Sequence, residues 1–253
     1  MNRFKKLLVT IVLPLSLLIG AAAQADSSAE LVQASLNHSD RPSEDVAEDS
    51  RRMPLEVLAF AGIEEGMTVL EMEAGSGYYT EILSRTVGNS GSVIMQNPPA
   101  FDGFAAEPVR VRLENNRLSN VTFTRVNFDQ LEADNNSVDM VTWILGPHEL
   151  WFEPGGQNLG DSTETFSQIA RVLKPGGVFL AIDHNATADS GTDAGSSLHR
   201  IYQGIVKELA EDAGLTLVRA SQLHSNENDP LDIGVQDPSI RGNTDKFVLL
   251  YQK

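Results

Sequence analysis

Short apolar runs alternate with segments of helical periodicity along most of this sequence, and this alternation constrains the fold more than any other feature. The runs that are typical of buried strands cover residues 67–72, 92–96, 121–126, 138–144 and 178–183. Strand and helix patterns in alternation favour βαβ units, because two parallel strands need a crossover connection that is usually a helix. The sequence therefore predicts an α/β fold, with a central, mostly parallel sheet and helices on both faces.

Helices are predicted from Pro54 to the residue before Gly62, and over residues 78–87, 109–118 and 166–173. The clearest helical pattern covers residues 198–213, where apolar residues recur three and four positions apart before Gly214. Strands at 215–223 and 246–252 close the chain, separated by a loop of about twenty residues rich in Pro, Asp and Asn. A loop of that length either covers a site or is disordered.

The first 25 residues have the pattern of a secretory signal. Three basic residues precede an apolar stretch over 7–20, and Ala23-Gln24-Ala25 matches the small-x-small cleavage pattern. The alternative is a retained membrane anchor, but the stretch is shorter than the ~20 residues of a spanning helix and contains Pro14. We expect cleavage after Ala25, export to the periplasm or the exterior, and no stable membrane insertion afterwards.

Acidic residues dominate the charge, with 35 Asp and Glu against 19 Lys and Arg and a formal net charge of −16. Loss of residues 1–25 would leave 35 acidic and 16 basic side chains, a charge of −19. This charge disfavours DNA, RNA and anionic membranes as partners and favours a small molecule. With no cysteine in the sequence, metal or acid-base chemistry would depend on His, Asp and Glu. Residues 26–50 form a polar, partly helical lead-in, and 51–253 a single domain.

A glycine-containing turn follows the first predicted strand. The segment Glu71-Met72-Glu73-Ala74-Gly75-Ser76-Gly77-Tyr78 leads from the strand into the next helix. Gly75 and Gly77 remove side chains where the backbone turns, so that a bulky ligand such as a nucleoside can approach. A structural turn without a ligand is the alternative. In a doubly wound sheet, ligands bind beyond the carboxyl ends of the strands, where this turn lies.

Four motifs in order, GIEEGMTVLEMEAGSG, GSVIMQNPP, NVTFTRVNFDQLEADNNSVDMV and RVLKPGGVFLAIDH, resemble those of class I S-adenosylmethionine-dependent methyltransferases. The resemblance covers residues 53–253. It is nearest to exported members of this family with a GYYTEIL segment, a DH pair after the fifth strand, and an HR pair followed by DPSIRGNTDKFVL. It implies a Rossmann-like fold whose seven-stranded sheet has an antiparallel last strand, with S-adenosylmethionine as the cofactor.

Family roles carried onto the matching positions give a set of cofactor-binding residues: Glu71, Glu73, Gly75, Gly77, Tyr78, Asn97, Asn127 and Phe128. Three positions depart from the family pattern. Glu73 replaces a glycine, Asn97 replaces the acid that grips the ribose, and Asn127 replaces an Asp near the adenine. Glu73 would attract the cationic sulfur or amino group, or would face solvent as a turn residue. Amides offer fewer acceptor atoms than carboxylates, so the resemblance implies weakened cofactor affinity.

Four polar residues at the ends of the fourth and fifth strands are candidate catalytic groups: His148, Glu149, Asp183 and His184. A histidine at this edge could remove a proton from the methyl acceptor, or could only cap loop backbone. His199 and Arg200, at the start of the last predicted helix, and Arg241, in the long loop, are candidate substrate-binding residues. Arg200 would bind an anionic group or form a surface ion pair.

Three other functions are alternatives to methyl transfer to an unidentified small molecule. A metal-assisted hydrolase or a metal-dependent methyltransferase would bind a divalent metal through His148, Glu149, Asp183, His184 and His199. This function is less favoured, because no His pair spaced i, i+4 exists, and we predict no metal site. An NAD-dependent dehydrogenase is weaker, since Thr80 replaces the third glycine of GxGxxG. The remaining alternative is an exported protein that binds a small molecule on this fold without catalysis.

Overall fold

The computed structural model describes residues 27–253, so the predicted export signal over residues 1–25 lies outside the described part of the chain. The helices are α1 (residues 27–36), α2 (Ser43–Arg52), α3 (Pro54–Ala61), α4 (Tyr78–Val87), α5 (Asp102–Arg112), α6 (Ser162–Val172), α7 (Asp193–Leu198) and α8 (Gln203–Asp212). The strands are β1 (Thr68–Met72), β2 (Ser92–Asn97), β3 (Val121–Arg125), β4 (Val138–Ile144), β5 (Leu173–His184), β6 (Thr216–Ser221) and β7 (Lys246–Gln252). Short 3-10 helices lie at Pro99–Phe101, Glu114–Asn116, Pro147–Trp151 and Pro154–Gly156.

Seven strands form one sheet in the order β3-β2-β1-β4-β5-β7-β6. Neighbours from β3 to β5 pair in parallel, and β7 pairs antiparallel with both β5 and β6. This arrangement confirms the predicted fold class, including the antiparallel last strand. Met72 pairs with Trp143, and Ile144 pairs with Ile182, so the segments that follow β1, β4 and β5 meet at one edge of the sheet.

Alternate residues of the central strands belong to two hydrophobic cores, one on each face of the sheet. In β4, Val141 and Trp143 belong to the core that contains residues of α6 and α8, whereas Met140 belongs to the core that contains residues of α3 and α4. Successive side chains of a strand point to opposite faces, so a strand covered on both sides is apolar throughout. The helices therefore lie on both faces, as predicted.

Three helices differ from their predicted positions. The helix expected over residues 166–173 is α6, which begins at Ser162 and ends at Val172. The helix expected over residues 109–118 is α5 and ends at Arg112. The long helix expected over residues 198–213 is divided, because α7 ends at Leu198 and α8 begins only at Gln203. His199 between them has a left-handed backbone (φ 53°), and Ile201 pairs with Asn185 as an isolated bridge. Apolar spacing of three and four residues does not distinguish a continuous helix from two short ones joined by a turn.

The polar lead-in is part of the packed structure, although the sequence suggests a solvated segment. Val32 of α1 is fully buried in the core on the α3 and α4 face. Arg41 and Asp45 are also buried, and Arg41 donates hydrogen bonds to Asp49 at 2.7 and 2.8 Å. Few apolar side chains are present in this segment, so buried ion pairs contribute to its attachment. Within the described residues, no helix is both long enough and apolar enough to cross a bilayer.

Candidate active site

The turn between β1 and α4 carries the predicted glycines at the carboxyl edge of the sheet. Gly75 and Gly77 both have positive φ values, 57° and 88°, in the left-handed region that glycine adopts without strain. A Cβ atom built on Gly75 would have no neighbour within 4 Å. The turn is therefore open on the Gly75 side, where a ligand can approach the backbone.

Two amide side chains at the end of β2 hold this turn in place. Asn97 accepts a hydrogen bond from the Gly75 N–H at 2.8 Å and donates one to the Gly75 carbonyl at 2.9 Å. Gln96 accepts from the Glu73 N–H at 2.9 Å and donates to the Val126 carbonyl at 2.6 Å. Both side chains are buried. Asn97, predicted to contact the ribose, thus has its amide groups engaged by the turn.

Glu73 replaces the family's glycine and still adopts a left-handed backbone (φ 54°). A non-glycine residue in this conformation is strained by about 1 kcal/mol or more. The carboxyl group accepts a hydrogen bond from the Trp143 indole at 2.9 Å. Burial and the nearby Glu149 carboxylate raise the pKa of Glu73 above its usual range. Glu73 therefore lies beside the candidate catalytic residues and does not face bulk solvent as a simple turn residue.

A small cavity of about 40 Å³ opens between β1 and β4 at this edge. It is lined by Arg52, Glu71, Met72, Glu73, Ala74, Tyr78, Tyr79, Thr142 and Ile144. Thr142 Oγ1 is buried without a hydrogen-bond partner, whereas Arg52 Nε lies 3.5 Å from Glu48 Oε2 in an ion pair. Buried polar groups are normally paired, so Thr142 Oγ1 indicates a place for a polar ligand or for water.

Glu71 contributes a buried carboxyl group to the wall of this cavity and accepts a hydrogen bond from the Thr80 hydroxyl at 2.5 Å. Burial raises the pKa of Glu71 to about 8, against the opposing effects of Thr80 and Arg112. The group is therefore mainly protonated at neutral pH. Tyr78, on the same wall, donates its hydroxyl hydrogen bond to Asp49 at 2.7 Å and is almost fully buried.

A larger cavity of about 470 Å³ lies at the opposite edge of the sheet. Its wall includes Met67, before β1, and Lys174, Gly176 and Gly177, near the beginning of β5. None of the predicted site residues lines this cavity. Its size does not make it the active site, because ligands of doubly wound sheets bind at the carboxyl ends of the strands.

The two residues predicted to flank the adenine are placed differently from each other. Asn127 is half-buried and donates a hydrogen bond to the Asn158 carbonyl at 3.3 Å. Phe128 is fully buried in the core, with its ring centroid 4.9 Å from that of Trp143. Phe128 therefore offers no side-chain surface to a ligand, and its structural contribution is to packing.

Asp183, at the end of β5, holds His148 in a fixed orientation. The Asp183 carboxylate accepts hydrogen bonds from the His148 backbone N–H at 2.7 Å and from the His184 backbone N–H at 2.7 Å. His148 Nδ1 lies 2.9 Å from Asp183 Oδ1. Burial lowers the pKa of His148, but the carboxylates of Asp183 and Glu149 outweigh burial and raise it to about 10. His148 is therefore an imidazolium at neutral pH, which makes it a poor proton acceptor.

Glu149 and His199 meet His148 on the side away from Asp183. Glu149 Oε1 lies 3.3 Å from His148 Nε2, and His199 Nδ1 lies 3.3 Å from the same nitrogen. The pKa of Glu149 is lowered, because hydrogen bonds from the two histidines outweigh the effect of burial. The other oxygen, Glu149 Oε2, is buried without a hydrogen-bond partner. These three side chains could hold a cation.

His184 lies near this cluster, with its ring centroid 6.2 Å from that of His148. Its Nδ1 is 2.7 Å from the Thr244 hydroxyl oxygen, which fixes the ring. Burial and the positive charge of His148 lower the pKa of His184 well below its usual value. His184 is therefore neutral at pH 7. Two neighbouring histidines in opposite protonation states are an arrangement that suits acid-base chemistry.

The predicted substrate-binding residues do not lie in one site. His199 joins the histidine cluster, but Arg200 is fully buried and donates to the carbonyls of Asn185 and Ile233 and to Asp229 at 3.0 Å. Arg200 therefore neither binds a surface ligand nor forms a surface ion pair, and both expectations for its side chain were wrong. It anchors the long loop between β6 and β7. Arg241, in that loop, is exposed.

Two residues that line the cavity, Arg52 and Thr142, were not predicted from the sequence. Arg52 is the last residue of α2, in a segment whose polar composition suggested a solvated lead-in, and its guanidinium lies 4.5 Å from the centre of the Tyr78 ring. The basic pair Arg51-Arg52 in an otherwise acidic stretch was the available signal. Thr142 carries no signal of its own, because threonine is common in strands.

The site fits one half of the predicted cofactor better than the other. The open turn at Gly75, the Arg52 guanidinium and the unpaired Thr142 Oγ1 suit a ligand with an amino-acid moiety. On the nucleoside side, the amide of Asn97 is engaged by the turn, and Phe128 is enclosed in the core. The residues present thus fit the amino-acid end of S-adenosylmethionine, whereas Asn97 and Phe128 are not free for the ribose and adenine in this conformation.

Comparison with known proteins identifies sequence relatives among methyltransferases. The chain is 27% identical over 129 residues to the ubiquinone/menaquinone biosynthesis C-methyltransferase UbiE of Pseudoalteromonas translucida, covering 51% of this chain and 47% of that protein. UbiE of a Shewanella species is 27% identical over 167 residues, covering 63% and 61%. The chain therefore spans about half to three fifths of the length of these curated relatives.

The fold is similar to that of a solved structure of a SAM-dependent methyltransferase from Aquifex aeolicus. The TM-score is 0.58 at 22% identity, with 84% of this chain and 98% of that chain covered. The profile of the family described as "Methyltransferase domain" matches residues 63–214, which include the Gly75 turn and the histidine cluster. Because this match extends over more than half of the sequence, the chain belongs to the methyltransferase domain family.

Proposed function

We propose that this protein transfers a methyl group from S-adenosylmethionine to a small-molecule acceptor at the carboxyl edge of the sheet. The observation that carries the proposal is the open Gly75 turn, which lies within the region that matches the methyltransferase domain, above a cavity where Thr142 Oγ1 has no hydrogen-bond partner. The acidic surface supports a small acceptor and disfavours a polyanion.

The residues around the cavity would bind the amino-acid end of the cofactor, which supplies a methyl group on a positively charged sulfur. Arg52 provides a cation for the carboxylate, and Thr142 provides a hydroxyl beside it. The Glu149 carboxylate at the same edge, whose pKa is lowered, favours a cationic ligand. Methyl transfer is an in-line displacement, so the main contribution of these residues is to position the two reactants.

His184 would accept the proton that the methyl acceptor loses. Its Nδ1 is held against Thr244, which leaves Nε2 as the nitrogen that can approach a substrate. The adjacent His148 is already protonated and is fixed by Asp183. His148 would therefore position a substrate group or donate a hydrogen bond. His184 would act as a weak base, because its pKa is lowered, and this suffices for a displacement that depends mainly on the positions of the reactants.

A non-catalytic binding protein is the second candidate, and specific contacts favour it. The Asn97 amide is engaged by Gly75, and Phe128 is buried, so the nucleoside side lacks its expected contacts. Such a protein would bind another small molecule at the same edge. Direct binding of the cofactor distinguishes the two functions.

Calorimetric titration with S-adenosylmethionine and S-adenosylhomocysteine tests the proposal. We expect one site per chain, and we expect Gly75→Trp to abolish binding. Gly191→Trp is the matched control, because Gly191 has nearly the same φ (61°) and its Cβ position is equally open. Absence of heat and of thermal stabilisation at millimolar ligand would reject methyl transfer. Unchanged affinity in Gly75→Trp would place the site elsewhere.

We further propose that the protein is exported and that its signal is removed after Ala25. The basic residues, the apolar stretch and the Ala-Gln-Ala sequence support this proposal. Mass spectrometry of protein recovered from the extracytoplasmic fraction should show an amino terminus at Asp26. An intact Met1 terminus in that fraction would contradict cleavage.

A further inference from the structure

We propose that His148, Glu149 and His199 form a binding site for a divalent transition metal of the Zn²⁺ type. The ligand atoms are His148 Nε2, Glu149 Oε1 and His199 Nδ1, which lie within 4.8 Å of one another. Imidazole nitrogen and carboxylate oxygen are suitable zinc ligands, and two His with one Glu is a known catalytic zinc set. The site goes beyond the proposed methyl transfer and does not depend on it.

The separations of the three atoms match the geometry of a coordinated ion. His148 Nε2 is 3.3 Å from both Glu149 Oε1 and His199 Nδ1, and the last two atoms are 3.8 Å apart. A point about 0.6 Å above the plane of the three atoms lies about 2.1 Å from each of them, which is within the range of Zn–N and Zn–O bond lengths. An ion therefore fits between the side chains without a change of rotamer.

Asp183 orients the His148 ring so that Nε2 faces the proposed metal site. Both carboxylate oxygens lie within 3.0 Å of His148 Nδ1, which directs that nitrogen's proton to Asp183. The lone pair of neutral His148 is then on Nε2, directed at Glu149 and His199. A carboxylate that binds the second nitrogen of a ligating histidine is the usual outer-shell partner in zinc sites. Asp183 is thus a positioning residue and not a ligand.

Glu149 supplies an independent observation. The residue is 9% exposed, and its Oε2 atom has no hydrogen-bond partner. Its Oε1 atom faces the nitrogens of two imidazoles, so a carboxylate oxygen and two ring nitrogens converge on one point. Such a convergence needs a cation, which is either a proton or a metal ion. A metal ion would also give the unpaired Oε2 atom of this carboxylate a positive charge to interact with.

The local backbone brings His199 to this point from 51 residues away in sequence. His199 follows α7 in a left-handed conformation, and its ring packs 4.4 Å from that of Phe152. Gly195 lets α7 lie close to the 3-10 helix Pro147–Trp151, because a Cβ atom there would be 2.7 Å from the His148 carbonyl oxygen. The His199 side chain is 35% exposed, so an ion can enter from that side.

The separations favour a tetrahedral ion over an octahedral one. Neighbouring ligands on tetrahedral Zn²⁺ are about 3.3 Å apart, whereas those on octahedral Mg²⁺ are about 3.0 Å apart. Two of the three separations are 3.3 Å, and the third is longer. Three protein ligands leave one tetrahedral position open, as in catalytic zinc sites.

Titration of the tag-free, chelator-treated full chain tests the site. Calorimetry with ZnCl₂ should give one ion per chain, and MgCl₂ should bind at least 100-fold more weakly. His199→Ala should lower zinc affinity at least 100-fold, whereas His38→Ala, at an exposed histidine in the lead-in, should leave it unchanged. Co²⁺ in place of zinc should give the intense visible absorption of a tetrahedral ion, which His199→Ala should remove.

Either of two results would overturn the proposal: no zinc bound at 1 mM, or equal zinc affinity in His199→Ala and in the parent protein. If metal-free His199→Ala has a lower Tm than the parent, Glu149→Gln replaces it, because the amide keeps the size of the side chain. Retained affinity in Glu149→Gln would overturn the proposal in the same way. These readouts need neither a substrate nor S-adenosylmethionine.

Discussion

The side chain of Asn97 forms two hydrogen bonds with the backbone of Gly75, one to its N–H at 2.8 Å and one to its carbonyl at 2.9 Å. The residue that the family resemblance assigns to the ribose is therefore a brace for the glycine turn. An amide suits this function because it donates and accepts at once, whereas a carboxylate only accepts. The departure from the family's acid at this position has a structural reason.

Asn97→Asp should destabilise the protein and should not improve cofactor binding. The carboxylate would still accept from the Gly75 N–H but would face the Gly75 carbonyl, so that two acceptors lie in contact. We expect a loss of about 1–3 kcal/mol in the free energy of unfolding. Urea denaturation measures this loss, with Asn89→Asp in an exposed turn as the control. An unchanged stability together with tighter S-adenosylmethionine binding would restore the ribose role of residue 97.

Asp45→Ala should weaken the attachment of the lead-in to the glycine turn. Asp45 pairs with buried Arg112 at 2.5 Å, and Arg112 also donates to the Ser76 carbonyl at 3.0 Å. Arg112 keeps a second carboxylate partner, Glu81, at 3.2 Å, so we expect a loss of about 1–3 kcal/mol in the free energy of unfolding. Glu107→Ala is the control, because it breaks the exposed Glu107–Arg110 pair on α5, the helix that carries Arg112. Its free energy of unfolding should change little. Equal effects of the two substitutions would show that the lead-in is not held by this pair.

Glu71→Gln should flatten the dependence of stability on pH. The folded-state pKa of Glu71 is about 8, above its value in the unfolded chain. Its contribution to stability is therefore fully present below pH 4.5 and is lost as the pH rises towards 8. The loss is about 1.4 kcal/mol per pH unit within this window.

Glutamine mimics the protonated group at every pH, so the stability difference between Glu71→Gln and the parent should increase from pH 5 to pH 7. Urea denaturation at both values measures this difference, and Glu164→Gln on the surface should show none. A difference that stays constant between the two values would contradict the raised pKa of Glu71.

Gly146→Ala should destabilise the edge of the sheet for steric reasons. Gly146 has a φ of −127°, which alanine adopts readily, but its Cβ would overlap the Trp143 indole nitrogen and Glu73 Oε2. We expect a loss of about 1–3 kcal/mol. Gly103→Ala in α5 is the matched control, because its Cβ would meet nothing within 4 Å. Helix propensity predicts a gain of about 0.5–1 kcal/mol for Gly103→Ala. Equal Tm values for both variants would contradict the close approach at Gly146.

The central strands of this protein were predictable because burial on both faces produces apolar runs that are visible locally. The run at residues 138–144 coincides with β4, and the helix expected over residues 78–87 coincides with α4. The break at His199 was not predictable, because apolar spacing continues across it. The burial of Arg200 was not predictable either, since its carboxylate partner, Asp229, lies 29 residues further along the chain.

Sequence by itself determined the order of strands and helices, the glycine turn, and the placement of His148, Glu149, Asp183 and His184 at the ends of two strands, since these depend on local pattern. Tertiary structure decided what these groups contact. It tied Asn97 to Gly75 and brought His199 to His148 across 51 residues. The physical reason is that backbone conformation and periodicity are local, whereas the protonation, hydrogen bonding and ligand geometry of a side chain depend on neighbours that only folding brings within a few ångströms.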